Sequence, residues 1–151
     1  MAFVLESILE QFRTDAEQVT TSLASSEVLY GLSRSDVDIC DLSALHEETG
    51  HEYALFGRYR TNGEERILVR GQPRRIHLPN CFLDENVIWY AHSQPDDDVR
   101  PSDYDLKTLR DFQRTNGQQN SVLVTAEGSC RVFTPHRNWA EEINTLLGIN
   151  T

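Results

Sequence analysis

A chain of 151 residues has room for one domain with one hydrophobic core. Its apolar fraction of 38% and charged fraction of 25% are ordinary for a folded globular protein, and its net charge of −10 argues against a general nucleic-acid binder. No apolar run nears the length of a membrane span. The opening MAFVLESILEQF carries early glutamates and lacks the basic n-region and unbroken h-region of a Sec signal peptide, so a cytoplasmic location, or delivery by a route without such a signal, is expected.

In chain order, residues 3–24 predict an amphipathic helix. Leu5, Ile8, Leu9, Phe12, Ala16, Val19 and Leu23 recur at spacings of three and four. Residues 25–44 are less regular, with a short strand or turn at 28–32. Residues 52–60 (EYALFGRYR) predict a strand, Asn62-Gly63 a hairpin turn, and residues 66–70 (RILVR) the returning strand. Arg58, Arg60, Arg66, Arg70, Arg74 and Arg75 crowd this region, countered by Glu64 and Glu65, and are read as a solvated strand face. Another short strand is expected at 75–78. Residues 86–91 (NVIWYA) predict a buried strand running into His92, with Trp89 and Tyr90 on opposite faces.

Residues 93–101, with two prolines and three consecutive aspartates, predict a loop. A helix follows, with Ser102 as N-cap, Asp105 at N3, an inward stripe of Leu106, Leu109 and Phe112, and a stop at Asn116-Gly117. Residues 121–125 and 131–134 predict two strands around Glu127-Gly128, and Trp139, Ile143, Leu146 and Leu147 a closing helix. Cys40, Cys81 and Cys130 are odd in number and widely spaced, so they predict reduced cytosolic cysteines, mostly filling core, rather than a disulfide frame or structural zinc site.

The chemistry concentrates between His92 and Asp105, in HSQPDDDVRPSDYD. A strand that delivers a histidine, followed by a helix that presents a carboxylate from its first turn, is an arrangement in which metal ligands converge. Catalytic zinc needs three protein ligands and one open position. The run resembles the JAB/MPN (JAMM) zinc hydrolases, in particular the RadC-like and JAB-toxin-like branch. That family carries H-x-H-P, a loop, and then S-x-x-D opening a helix. Here His92-Ser93-Gln94-Pro95 precedes Ser102-Asp103-Tyr104-Asp105, with seven residues between Gln94 and Ser102, which is the family spacing. Glu52, opening the strand EYALFG, matches the glutamate that the family places on an early core strand.

The resemblance implies a single α+β domain over residues 1–151, with a curved, mostly antiparallel sheet flanked by helices. It also implies a zinc-dependent hydrolase of peptide or isopeptide bonds. His92 and Asp105 would be metal ligands and Glu52 the general base. Ser102 would stabilise the oxyanion, helped by the helix N-terminus. The third ligand position holds Gln94 in place of histidine, and a glutamine carbonyl is neutral and a poorer zinc ligand than imidazole. Another residue then substitutes, another metal binds, or the site is inactive; in that last case the chain is a degenerate MPN-like protein-interaction domain. The partner expected is a protein, as substrate or ligand, with no nucleic acid and no membrane. A bacterial toxin or effector, or a member of a ubiquitin-like pathway, is the analogous setting. The oligomeric state does not follow.

Other signals carry less. His46 and His51 in HEETGHE are five apart, so on a helix they diverge by about 140°, unlike the zincin pair at i and i+4. Either could instead be a spare ligand near Glu52. Cys81 or Cys130 with His77 or His136 has no local signature of a thiol hydrolase. Asp96–Asp98 read as solvated acids.

Overall fold

A computed structural model of the chain describes residues 2–18, 29–71, 83–94 and 100–135. The expectations for Val19, Leu23, the strand at 75–78, Arg74, Arg75, His77, Cys81, Asp96–Asp98, His136 and the helix around Trp139 lie outside those residues. The described part is α+β. Helix α1 (Ala2–Thr14) leads to β1 (Glu17–Gln18), β2 (Tyr30–Ser33), α2 (Ile39–Thr49), β3 (Tyr53–Arg60), β4 (Gly63–Arg70), β5 (Val87–Gln94), α3 (Asp103–Asn116), β6 (Ser121–Thr125) and β7 (Cys130–Phe133). The strands form one sheet in the order β1-β2-β4-β3-β5-β6-β7. Every neighbouring pair is antiparallel except β5 and β6, which run parallel. A parallel pair needs a long crossover, and α3 supplies it.

Apolar residues line both faces of the sheet. On one face Ala54, Phe56, Val69, Trp89 and Leu123 pack against Leu109 and Phe112 of α3. On the other, Tyr53, Leu55, Leu68, Ala91 and Val124 meet Ile8 and Phe12 of α1 and Leu42 and Leu45 of α2. The two sets alternate along β3, as the two-residue period of a strand requires.

Several boundaries differ from the sequence expectations. Helix α1 stops at Thr14, and Glu17 and Gln18 pair with β2 instead of continuing a helix to residue 24. The β3–β4 hairpin pairs Arg60 with Gly63, so its loop residues are Thr61 and Asn62, and Gly63 opens the returning strand at φ 133°. Strand β5 runs through Ser93 to Gln94, because pairing with β6 carries it into the polar segment.

Helix α2 is an element that the sequence reading left irregular. Its start is a reciprocal cap: the Asp38 carboxylate accepts from Cys40 N at 3.4 Å, and Asp38 N donates to Asp41 at 2.8 Å. Its end is Gly50 at φ 74°. The arginine face is countered as expected, with Arg58 and Arg60 at 3.6 and 3.7 Å from Glu65 and Arg66 at 3.3 Å from Glu64. Arg70 instead lies over the rings of Phe12 and Tyr30.

Gly57 is bare because the Tyr90 ring lies across it. A Cβ there would stand 2.5 Å from the Tyr90 hydroxyl, which is held by Tyr59 Oη at 2.6 Å and Glu64 at 2.8 Å. Gly57→Ala should therefore cost about 1–3 kcal/mol, read as a lower denaturant midpoint with unchanged slope.

Candidate metal and catalytic site

A bulge in β5 decides which side chains reach α3. Opposite β3, Leu55 pairs with Ala91 but Phe56 pairs with Trp89, leaving Tyr90 as an extra residue. Without that insertion Trp89 and His92, three apart, would face opposite sides of the sheet. With it, Tyr90 and Ala91 both contribute to the α1–α2 face, and Trp89 and His92 share the α3 face, their rings 5.0 Å apart. Gln94, two residues on, follows His92 to that face. Trp89 and Tyr90 fall on opposite faces, as expected.

Three elements bring the predicted residues together. Glu52 stands immediately before β3, His92 and Gln94 lie at the end of β5, and Asp105 is in the first turn of α3. A narrow cleft among them is lined by Glu52, Ala54, Trp89, His92, Tyr104, Asp105 and Thr108. Ser102 caps α3 at the rim: its Oγ accepts from Asp105 N at 3.1 Å, and Ser102 N donates to Asp105 Oδ2 at 2.9 Å. His92 Nε2 lies 3.2 Å from the same oxygen. That contact lacks the alignment of a hydrogen bond, and neither nitrogen of the buried His92 ring has a hydrogen-bond partner. Gln94 Nε2 also points at Asp105 Oδ2, at 3.4 Å, and donates to Arg100 O at 3.3 Å.

The electrostatics divide the two acids. Burial and the nearby Asp105 charge push the Glu52 carboxyl up to about 9. Burial acts on Asp105 in the same direction, but the facing His92 and the hydrogen bonds from Ser102 outweigh it and hold Asp105 below its usual range. Glu52 is thus a neutral acid at pH 7 while Asp105 is a carboxylate.

One residue that the sequence did not single out fixes the two strand ends. Ser93, fully buried on the opposite face from His92, accepts from Tyr53 N at 2.8 Å and pairs with His46 Nδ1 at 3.0 Å. It ties the start of β3, beside Glu52, to the end of β5 and to α2. A small polar residue directly after the buried pair Ala91-His92, on a sheet covered on both sides, was the available signal. His46 is therefore engaged away from the cleft, and His51 Nδ1 pairs with Gly71 O at 3.0 Å. Neither points to a spare-ligand role.

The donor set can be weighed against a divalent cation. Among the described residues no three His, Cys, Asp or Glu side chains gather at metal-ligand spacing. Two strong donors, His92 Nε2 and Asp105 Oδ2, stand 3.2 Å apart, and the Gln94 amide nitrogen lies 3.4 Å from the same carboxylate oxygen. His92 Nε2, buried without a well-formed hydrogen bond and facing the Asp105 carboxylate, is a position that a cation would fill. The residues fit such an ion at two positions and offer an amide at the third. The chain matches no protein-family model, no curated protein and no solved structure. Among the described residues no helix is long and apolar enough to cross a membrane.

Proposed function

We propose that this chain is a zinc-dependent hydrolase of peptide or isopeptide bonds, with a site of the JAB/MPN type, acting on a protein substrate. The observation that carries the reading is the buried His92 ring held 3.2 Å from the Asp105 carboxylate, without a well-formed hydrogen bond at either nitrogen, in a cleft shared with Glu52. His92 Nε2 and Asp105 Oδ2 would hold the ion, with Gln94 turned to present Oε1. When bound, the ion supplies Lewis acidity that polarises a carbonyl and acidifies water.

The chain's own groups do the rest. Glu52 is the proton carrier. With a cation held by His92 and Asp105, the Glu52 carboxyl would give up the proton it keeps in the metal-free cleft, and would then accept one from water and return it to the leaving amine. The Ser102 Oγ accepts from Asp105 N, which leaves its own O–H to donate to a developing oxyanion at the α3 N-terminus. Ser93 and His46 hold the strand ends that set the distance between Glu52 and His92.

The test is cleavage of unfolded protein and of isopeptide-linked conjugates by zinc-supplemented protein. The expected result is activity that chelator abolishes and that Glu52→Gln lowers by about 100-fold or more. Activity undiminished in Glu52→Gln would remove Glu52 from the role of base. One observation favours a second reading, a non-catalytic protein-interaction domain. The Gln94 amide already donates toward Asp105 and Arg100 O, as a replacement for a lost metal would.

A further inference from the structure

The cysteines were expected to fill core, yet Cys40 and Cys130 are both exposed. Burial was inferred from residue type alone, and the fold places them instead on either wall of one surface groove. Cys40 is in the first turn of α2. One turn later on the same face, Ser43 Oγ donates to Ala126 O at 3.0 Å, so this side of α2 lies against the β6–β7 turn. A Cβ placed on Gly128 in that turn would stand 4.0 Å from Ser43 Oγ. Cys130 pairs in register with Val124, and registered partners project to the same face of a sheet. Val124 belongs to the core cluster that includes Leu42 and Leu45 of α2. Cys130 thus projects to the α2 side of the sheet, and Cys40, exposed one turn before Ser43, lines the same groove. The groove between them is lined by both cysteines together with Ser43, Glu47 and Val124. The Cys130 thiol is pushed up by burial and by Cys40, which places the two within electrostatic reach.

We infer that Cys40 and Cys130 form a dithiol modification site that closes to an intramolecular disulfide on exchange with a small-molecule disulfide. One cysteine loses its proton to water, and its thiolate attacks a sulfur of the reagent. The reagent's S–S bond breaks, a mixed disulfide forms, and the departing thiolate takes up a proton. The second cysteine, deprotonated in turn, attacks the protein sulfur of that mixed disulfide. The Cys40–Cys130 bond forms and the other half of the reagent leaves as a thiol. Two protein thiols are oxidised by two electrons, and one small disulfide is reduced to two thiols. The bridge fastens the start of α2 to β7. The site is independent of the metal-site reading.

Oxidised glutathione is the probe, applied to the full native chain, followed by alkylation and non-reducing peptide mapping. The expected product is the Cys40–Cys130 linked peptide, in more than about tenfold excess over any link through Cys81, because the fold supplies the effective concentration. Cys40→Ser and Cys130→Ser should each abolish it and accumulate a glutathione adduct on the remaining partner. In urea the preference should vanish. Stable adducts on both cysteines without a cross-link, a dominant link through Cys81, or a preference that survives urea would each overturn the inference.

Discussion

Metal-free protein should lose stability as the pH rises from about 4.5 toward about 9, and Glu52→Gln should flatten much of that slope. In the unfolded chain Glu52 ionises near its ordinary value of 4.5; in the folded chain it holds its proton to about 9 because of burial and the Asp105 charge. Between those values the folded state binds more protons than the unfolded state. The contribution of Glu52 is therefore fully present below about 4.5 and is lost as the pH climbs through the folded value. The loss is about 1.4 kcal/mol per pH unit, or roughly 3 kcal/mol accumulated by neutral pH. Asp105 works in the opposite sense, since its folded pKa is lowered: its stabilisation is present above the ordinary carboxylate range and fails only in acid. Denaturant midpoints of wild type and Glu52→Gln across this range separate the two, because the difference between the curves belongs to Glu52. Parallel curves would contradict the placement of Glu52 in a dry, anionic cleft. Saturating zinc should also flatten the wild-type slope, since a cation beside Glu52 removes the penalty on its charged form.

Gln94→His should raise zinc affinity by about 100-fold or more, and with it the melting temperature in zinc. Position 94 shares its sheet face with His92, two residues back along β5, and its side chain already reaches Asp105. An imidazole there replaces a neutral amide with a much better zinc donor. The change removes two long hydrogen bonds, at 3.3 and 3.4 Å, so the metal-free variant should lose less than about 1 kcal/mol. Competition with a chromophoric chelator gives the affinity directly. The Trp89 ring, 5.0 Å from His92, gives an optical signal that needs no substrate. Unchanged affinity in Gln94→His would mean that His92, position 94 and Asp105 do not converge on one ion.

The parts of the fold with strong local chemistry were legible. Helix α3 reads directly from Ser102, Asp105 and Gly117, because a reciprocal cap and a left-handed glycine act within a few residues. The β3–β4 hairpin reads from Asn62-Gly63 set between two apolar runs. Helix α2 carried the same kind of signal in Asp38, Asp41 and Gly50, but polar residues and a short apolar stripe masked its period. What could not be read were effects of pairing. The bulge at Tyr90 depends on how β5 sits against β3, and it alone gives His92 and Gln94 the α3 face. The extension of β5 through Ser93 depends on β6, and the exposure of Cys40 and Cys130 on how α2 lies across the sheet. Candidate residues could thus be picked out by type and spacing, whereas the hydrogen-bonding environment of His92 and the raised pKa of Glu52 needed three dimensions.

Zinc binding to the wild-type chain, purified without chelator, tests the metal-site reading most directly. Elemental analysis with a parallel zinc titration of thermal stability should give one ion per chain and a rise in melting temperature that His92→Ala abolishes. No stoichiometric zinc, together with a melting temperature that zinc leaves unmoved, would contradict it.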